Sequence, residues 1–117
     1  MKNRLSLTRL LSEASLKKMA GRMIFARGKE YYQSDAVELL LDHNNKLLGK
    51  VEGIYEYTVR FWIEGDELEY DCDCPYDDFC KYLVAVGLAY LKGESEAAPD
   101  VAAFEAEFAE LDDFAGI

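Results

Sequence analysis

From Val37 the hydropathy period changes to two and the β-branched and aromatic content rises, most plainly over Tyr57–Cys72, and a chain with that period has one economical solution, a sheet that turns one face to a core. Strands are predicted at about Val37–Leu41, Lys46–Gly53, Tyr57–Ile63 and Leu68–Cys72. Asp42–Asn45 carries the Asp/Asn chemistry of a hairpin turn, and Glu64, Gly65 and Asp66 supply another. Four strands in series make an antiparallel meander. Along the third, Tyr57, Val59, Phe61 and Ile63 share one face and Thr58, Arg60, Trp62 and Glu64 the other; along the fourth, Leu68, Tyr70 and Cys72 alternate with Glu67, Glu69, Asp71 and Asp73. The expectation is one core face and one largely acidic face open to solvent.

Helical periods flank the strands. Ser12 to Gln33 reads as a helix in two pieces, with Ser12 and Ser15 as caps, Gly21 as the break, and Leu16, Met19, Ala20, Met23 and Ile24 as an apolar stripe. A second helix runs from Cys80 to Leu91, with Leu83, Val84, Gly87, Leu88 and Leu91 on one side and a further strip of Tyr82, Val86 and Tyr90. After a polar joint, Lys92–Pro99, the segment Asp100–Asp112 places Val101, Phe104, Phe108 and Leu111 opposite glutamates. That pattern predicts an acidic amphipathic helix, docked on the Tyr82/Val86/Tyr90 strip or donated to another chain. The fold class expected is α+β: an N-terminal helical segment, the meander, a helix after the cysteines, and a C-terminal helix. Residues 1–91 form the domain and 92–117 a linker and appended helix. At 117 residues, half of them apolar, the chain suffices for one core.

No stretch approaches the roughly 18 apolar residues that span a bilayer, and Met1–Leu11 carries Lys2, Arg4 and Arg9 with no apolar run behind them. The expectation is a cytoplasmic protein without a membrane anchor. Charge is unevenly laid out: residues 1–34 sum to +6 and the remainder to -16, within a total of -10. A basic segment of this kind meets either a polyanion or an acidic neighbour in its own chain or a partner. Three cysteines cannot all pair within one chain, and a reducing cytosol keeps them as thiols or metal ligands.

Their placement carries the chemistry. Cys72 and Cys74 stand two apart on an extended segment and point the same way; Pro75 turns the chain, and the short loop through Phe79 returns Cys80 to the same place at the start of a helix. Three thiolates converging on one point suit zinc, and a helix N-terminus favours the ionised sulfur. The stretch Cys72-Asp-Cys74-Pro75-Tyr76, then Phe79-Cys80-Lys81, followed by Leu83-Val84-Ala85-Val86 and Leu88-Ala89-Tyr90-Leu91, resembles the SWIM zinc finger. Arg27-Gly28 and Tyr31-Tyr32 ahead of the strands are similar to that family's lead-in, so the likeness spans about residues 20–91. The family's pattern is Cys-x-Cys, a loop, then Cys-x-His, and Tyr82 stands where the histidine would be. A neutral phenol is a poor zinc ligand. Three outcomes stay open: zinc on Cys72, Cys74 and Cys80 with water, Asp77, Asp78 or His43 as fourth ligand; a metal-free cluster of small buried residues; or a redox bridge between two of the cysteines.

The resemblance implies binding of DNA or protein rather than catalysis. Asp66, Glu67, Glu69, Asp71, Asp73, Asp77 and Asp78 would repel phosphates, so a protein partner is expected. The alternative is nucleic-acid binding by Lys17, Lys18, Arg22, Arg27 and Lys29, with Tyr31 and Tyr32 as stacking platforms. No histidine or paired acid is spaced to serve as a base beside the cysteines, so neither an enzyme nor a small-molecule substrate is expected.

Overall fold

The computed structural model describes residues 6–76 and 78–116, with 110–116 as backbone alone. Helices α1 (Leu7–Leu10) and α2 (Glu13–Gln33) precede strands β1 (Val37–His43), β2 (Lys46–Glu52), β3 (Glu56–Glu64) and β4 (Glu67–Cys72); α3 (Lys81–Leu91), β5 (Glu96–Ala97) and α4 (Val101–Gly116) follow. The sheet order is β4-β3-β2-β1-β5, with β1 to β4 antiparallel and β5 parallel to β1. The α+β meander is therefore as expected, and β5 adds a fifth strand too short to announce itself by period.

Local chemistry sets the boundaries. Ser12 and Ser15 cap α2 reciprocally, each hydroxyl accepting the other's backbone N–H at 3.0 and 2.9 Å. Gly21 leaves the helical region (φ 80°, ψ 164°) and breaks α2 where the sequence predicts. Asp35 takes the left-handed conformation beyond the last turn, and the N–H groups of Ala36 and Asp35 close on the carbonyls of Tyr31 and Tyr32. The first hairpin is tighter than expected. Asn44 and Asn45 both adopt positive φ, so two residues reverse the chain and β1 runs on to His43.

One sheet face carries Leu40, Leu47, Val51, Val59 and Phe61 into the main core, where α2 and α3 cover them and α1 adds Leu7 and Leu11. Residues 82–89 of α3 are all buried, because this helix lies between α2 and the sheet. Its strip is not the dock for the C-terminal helix. Tyr82 stacks on Tyr57 of β3 at 4.7 Å, Val86 closes on Gly49 of β2, and the Tyr90 hydroxyl meets that of Thr8 at 3.0 Å.

Helix α4 lies instead on the opposite face of the sheet, the one expected to be bare. Phe104 and Phe108 pack with Leu48, Leu41 and Trp62, while Val101 is exposed and the side chain of Leu111 falls outside the described residues. Lys46 and Lys50 of β2 reach Glu105 and Glu107 of α4, each at 2.6 Å. Between them Arg60 is 1% exposed; its guanidinium pairs with both oxygens of Asp71, donates to the Phe108 carbonyl at 2.7 Å and lies over the Trp62 and Phe108 rings. The acidic helix thus finds its counter-charge inside its own chain.

This burial predicts an asymmetry. Asp71→Asn removes a charged partner from a buried guanidinium and should cost about 1–2 kcal/mol, a figure lowered because Asp71 itself is 41% exposed. Arg60→Met removes the charge, fills the same space and should cost less. Urea titration of the two variants checks the order, and equal stability would show that the pair does not hold α4 to the sheet.

Candidate metal centre

Strand β4 ends on Cys72, the loop after it holds Cys74, and Cys80 is the N-cap residue of α3 with extended backbone (φ -105°, ψ 171°). The register that puts Cys72 opposite Val59 turns it toward the face covered by α2 and α3. The three sulfurs lie within 4.8 Å of one another, and none is in a disulfide. Zinc–thiolate bonds of about 2.3 Å in a tetrahedron hold sulfurs about 3.8 Å apart, so small side-chain rotations close this cluster on an ion. The three cysteines can hold a metal ion.

The surroundings act unequally on the three sulfurs and favour ionisation of one, Cys80. Cys80 stands at the N-cap of α3, where the N–H groups of Tyr82 and Leu83 favour its ionised sulfur although no regular capping bond forms. Together with a hydrogen bond from Cys72, the largest influence, they bring the Cys80 thiol down to about 6. Cys72 is pushed up, first by that shared bond and then by burial, and Cys74 is pushed up by burial. The N–H of Cys74 favours the Cys72 thiolate and that of Tyr76 the Cys74 thiolate. Nearby backbone N–H groups thus act in favour of each ionised sulfur, against the burial that opposes it at all three.

The expected fourth ligands fare differently. His43 faces the other side of the sheet, edge-on to Phe104 and 3.9 Å from Glu105, so it cannot complete the site. Its strand parity matches that of Leu41, which packs under α4. Asp78 accepts the N–H of Phe79 at 2.8 Å and is not among the clustered ligands, and Asp77 lies outside the described residues. The Tyr82 ring is held between Tyr57 and Tyr31, with its hydroxyl against Gly53. Among the described residues the cluster has three protein ligands and no fourth.

Lys17, Lys18, Arg22, Arg27 and Lys29 are all exposed on α2, with the first two before the break at Gly21 and the others after it. Lys17 is 3.5 Å from Glu13. Of the five, only Arg27 shares a cleft with the cysteines, and this cleft was not legible in the sequence. Of about 240 Å³, it is bounded by Cys74 and Cys80, by Ile24, Arg27 and Lys81, and by the exposed Ile54 and Tyr76. The one hint was an isoleucine and a tyrosine at the tip of the β2–β3 turn, Ile54 and Tyr55, where polar residues are usual.

Among the described residues, no helix is long and apolar enough to cross a membrane. No protein-family model matches the chain, and no curated protein or solved structure is significantly similar to it.

Proposed function

We propose that this chain is a non-catalytic, zinc-holding interaction module of the SWIM type that binds a protein partner. The observation that carries this reading is the convergence of the Cys72, Cys74 and Cys80 sulfurs within 4.8 Å of one another. Zinc is the metal of choice because three thiolates in a compact site suit a soft, tetrahedral, redox-inert ion. Three free thiols agree with a cytoplasmic setting.

A protein partner suits the neighbourhood better than nucleic acid does. Asp66, Glu67, Asp73 and Asp78 are exposed along the strand and loop that carry the cysteines. The exposed Ile54, Tyr55 and Tyr76 on the other flank are apolar anchors of the kind protein interfaces use. Nucleic-acid binding through α2 is supported by the exposure of all five basic residues, and low-salt retention on DNA or RNA separates the two readings.

The test is the metal content of protein purified without chelator. Wild type is expected to carry about one equivalent of zinc and Cys72→Ser almost none, with chelation lowering the melting temperature of the wild type alone. Equal metal content and melting for both would overturn the reading.

A further inference from the structure

We propose that a carboxylate from a partner protein supplies the fourth ligand that the described residues do not, entering through the cleft between α2, the β2–β3 turn and the loop after β4. The inference rests on the metal-holding reading above and adds the chemistry of the partner.

The cluster has two unlike flanks. On the Cys72 side the surface is lined by Asp71 and Asp78 with Tyr70 and Tyr76, so an anion is repelled there. On the Cys74 and Cys80 side the cleft is lined by Arg27 and Lys81, and by no carboxylate among the described residues. Neither cation has a carboxylate within ion-pair distance among the described residues; the Lys81 ammonium sits over the Tyr31 and Tyr82 rings at 4.9 and 5.4 Å. Charge counting then selects the donor. A divalent ion on three thiolates carries one net negative charge, and on the cleft side two cations and no described carboxylate face it, so the local field there favours an anionic ligand over a neutral one.

Size and polarity select what carries the carboxylate. A volume of about 240 Å³ is below the roughly 300–1,000 Å³ of small-molecule sites and is open at one end, so it takes one or two side chains of a peptide. Its rim is apolar, with Ile54 86% and Tyr76 53% exposed. The occupant that matches is an acidic residue beside a large aliphatic one, the first reaching the metal and Arg27, the second covering Ile54 and Tyr76.

Cobalt(II) reports the coordination directly, because in zinc's place it shows thiolate charge-transfer absorption and ligand-field bands that move when a ligand changes. Cobalt-loaded protein is titrated with aspartyl-leucine capped at both ends and with the capped asparaginyl-leucine analogue. The acidic peptide is expected to shift the ligand-field bands saturably and the amide to leave them in place. Arg27→Gln, loaded with cobalt to saturation, is expected to weaken the acidic peptide about three- to fivefold, as suits loss of one exposed charge pair. If the two peptides act alike, or neither moves the bands, the proposal falls while the metal site stands. Absence of the charge-transfer absorption on adding cobalt would instead remove the metal reading itself, and this proposal with it.

Discussion

Gly28→Ala is expected to destabilise the protein by about 3 kcal/mol and to lower its melting temperature by roughly 10 °C, although it adds one methyl group to a helix. Propensity alone favours alanine by about 1 kcal/mol in such a position, so the sign of the result separates local from tertiary effects. The reason is the crossing of α2 on α3. A β-carbon on Gly28 would lie 2.3 Å from the Val84 β-carbon and 2.7 Å from the Lys81 carbonyl oxygen. Both are fixed parts of a buried helix, so no side-chain rotation relieves them and the helices must separate. Val84→Ala rescues little, because the offending β-carbon stays. Gly21→Ala is the contrast: nothing lies within 4 Å of its β-carbon, so its cost is backbone strain alone, from φ 80° and ψ 164°, at about 1–3 kcal/mol and with no change at the α2–α3 crossing. Thermal melts of the two variants suffice. Gly28→Ala melting with the wild type would mean that α2 and α3 do not cross this closely, and the wall that supports Cys80 would need to be redrawn.

That crossing also explains what could be foreseen and what could not. The four strands, the break at Gly21 and the meeting of Cys72, Cys74 and Cys80 follow from periods and spacings local to a few residues. The place of α4 does not. On the second face of the sheet, Leu48 sits between Lys46 and Lys50 on the same side of its strand, and Trp62 sits between Arg60 and Glu64, so the alternation reads as a polar surface. Only the cross-strand register, which pairs Leu48 with Arg60 and Arg60 with Asp71, assembles an apolar patch ringed by cations, and register depends on turn geometry rather than pattern. The Tyr82/Val86/Tyr90 strip misleads for the converse reason. A helix enclosed on two sides shows two apolar strips, and nothing in its own sequence says that the sheet takes this one and α2 the other. Helix α1, with Leu7 and Leu11 in the core, is too short for its period to register. At the cysteine cluster the meeting of the three thiols was legible and the cleft beside it was not, since Arg27, Ile54 and Tyr76 are far apart in the chain and share no motif.

Tyr82→His tests the centre from the protein's own side, and its effect is expected to change sign with metal. Without metal the variant should be less stable by about 1–2 kcal/mol, because the phenol ring, 7% exposed, gives up its stack on Tyr57 and its edge contact with Tyr31. With zinc the order should invert. Position 82 borders the same cleft as Cys74 and Cys80, and an imidazole there gives the ion a fourth protein ligand, raising affinity at least about tenfold, or about 1.4 kcal/mol. Competition with a chromogenic chelator reads the affinity, and melts with and without zinc read the inversion. Equal affinity in both proteins would mean that residue 82 does not address the sulfurs. The variant also isolates the partner's role: with its fourth position filled from within, cobalt-loaded Tyr82→His should no longer respond to the acidic peptide. That loss of response would place tyrosine at this position as the residue that keeps one coordination site open to another protein, which is what the proposed partner requires.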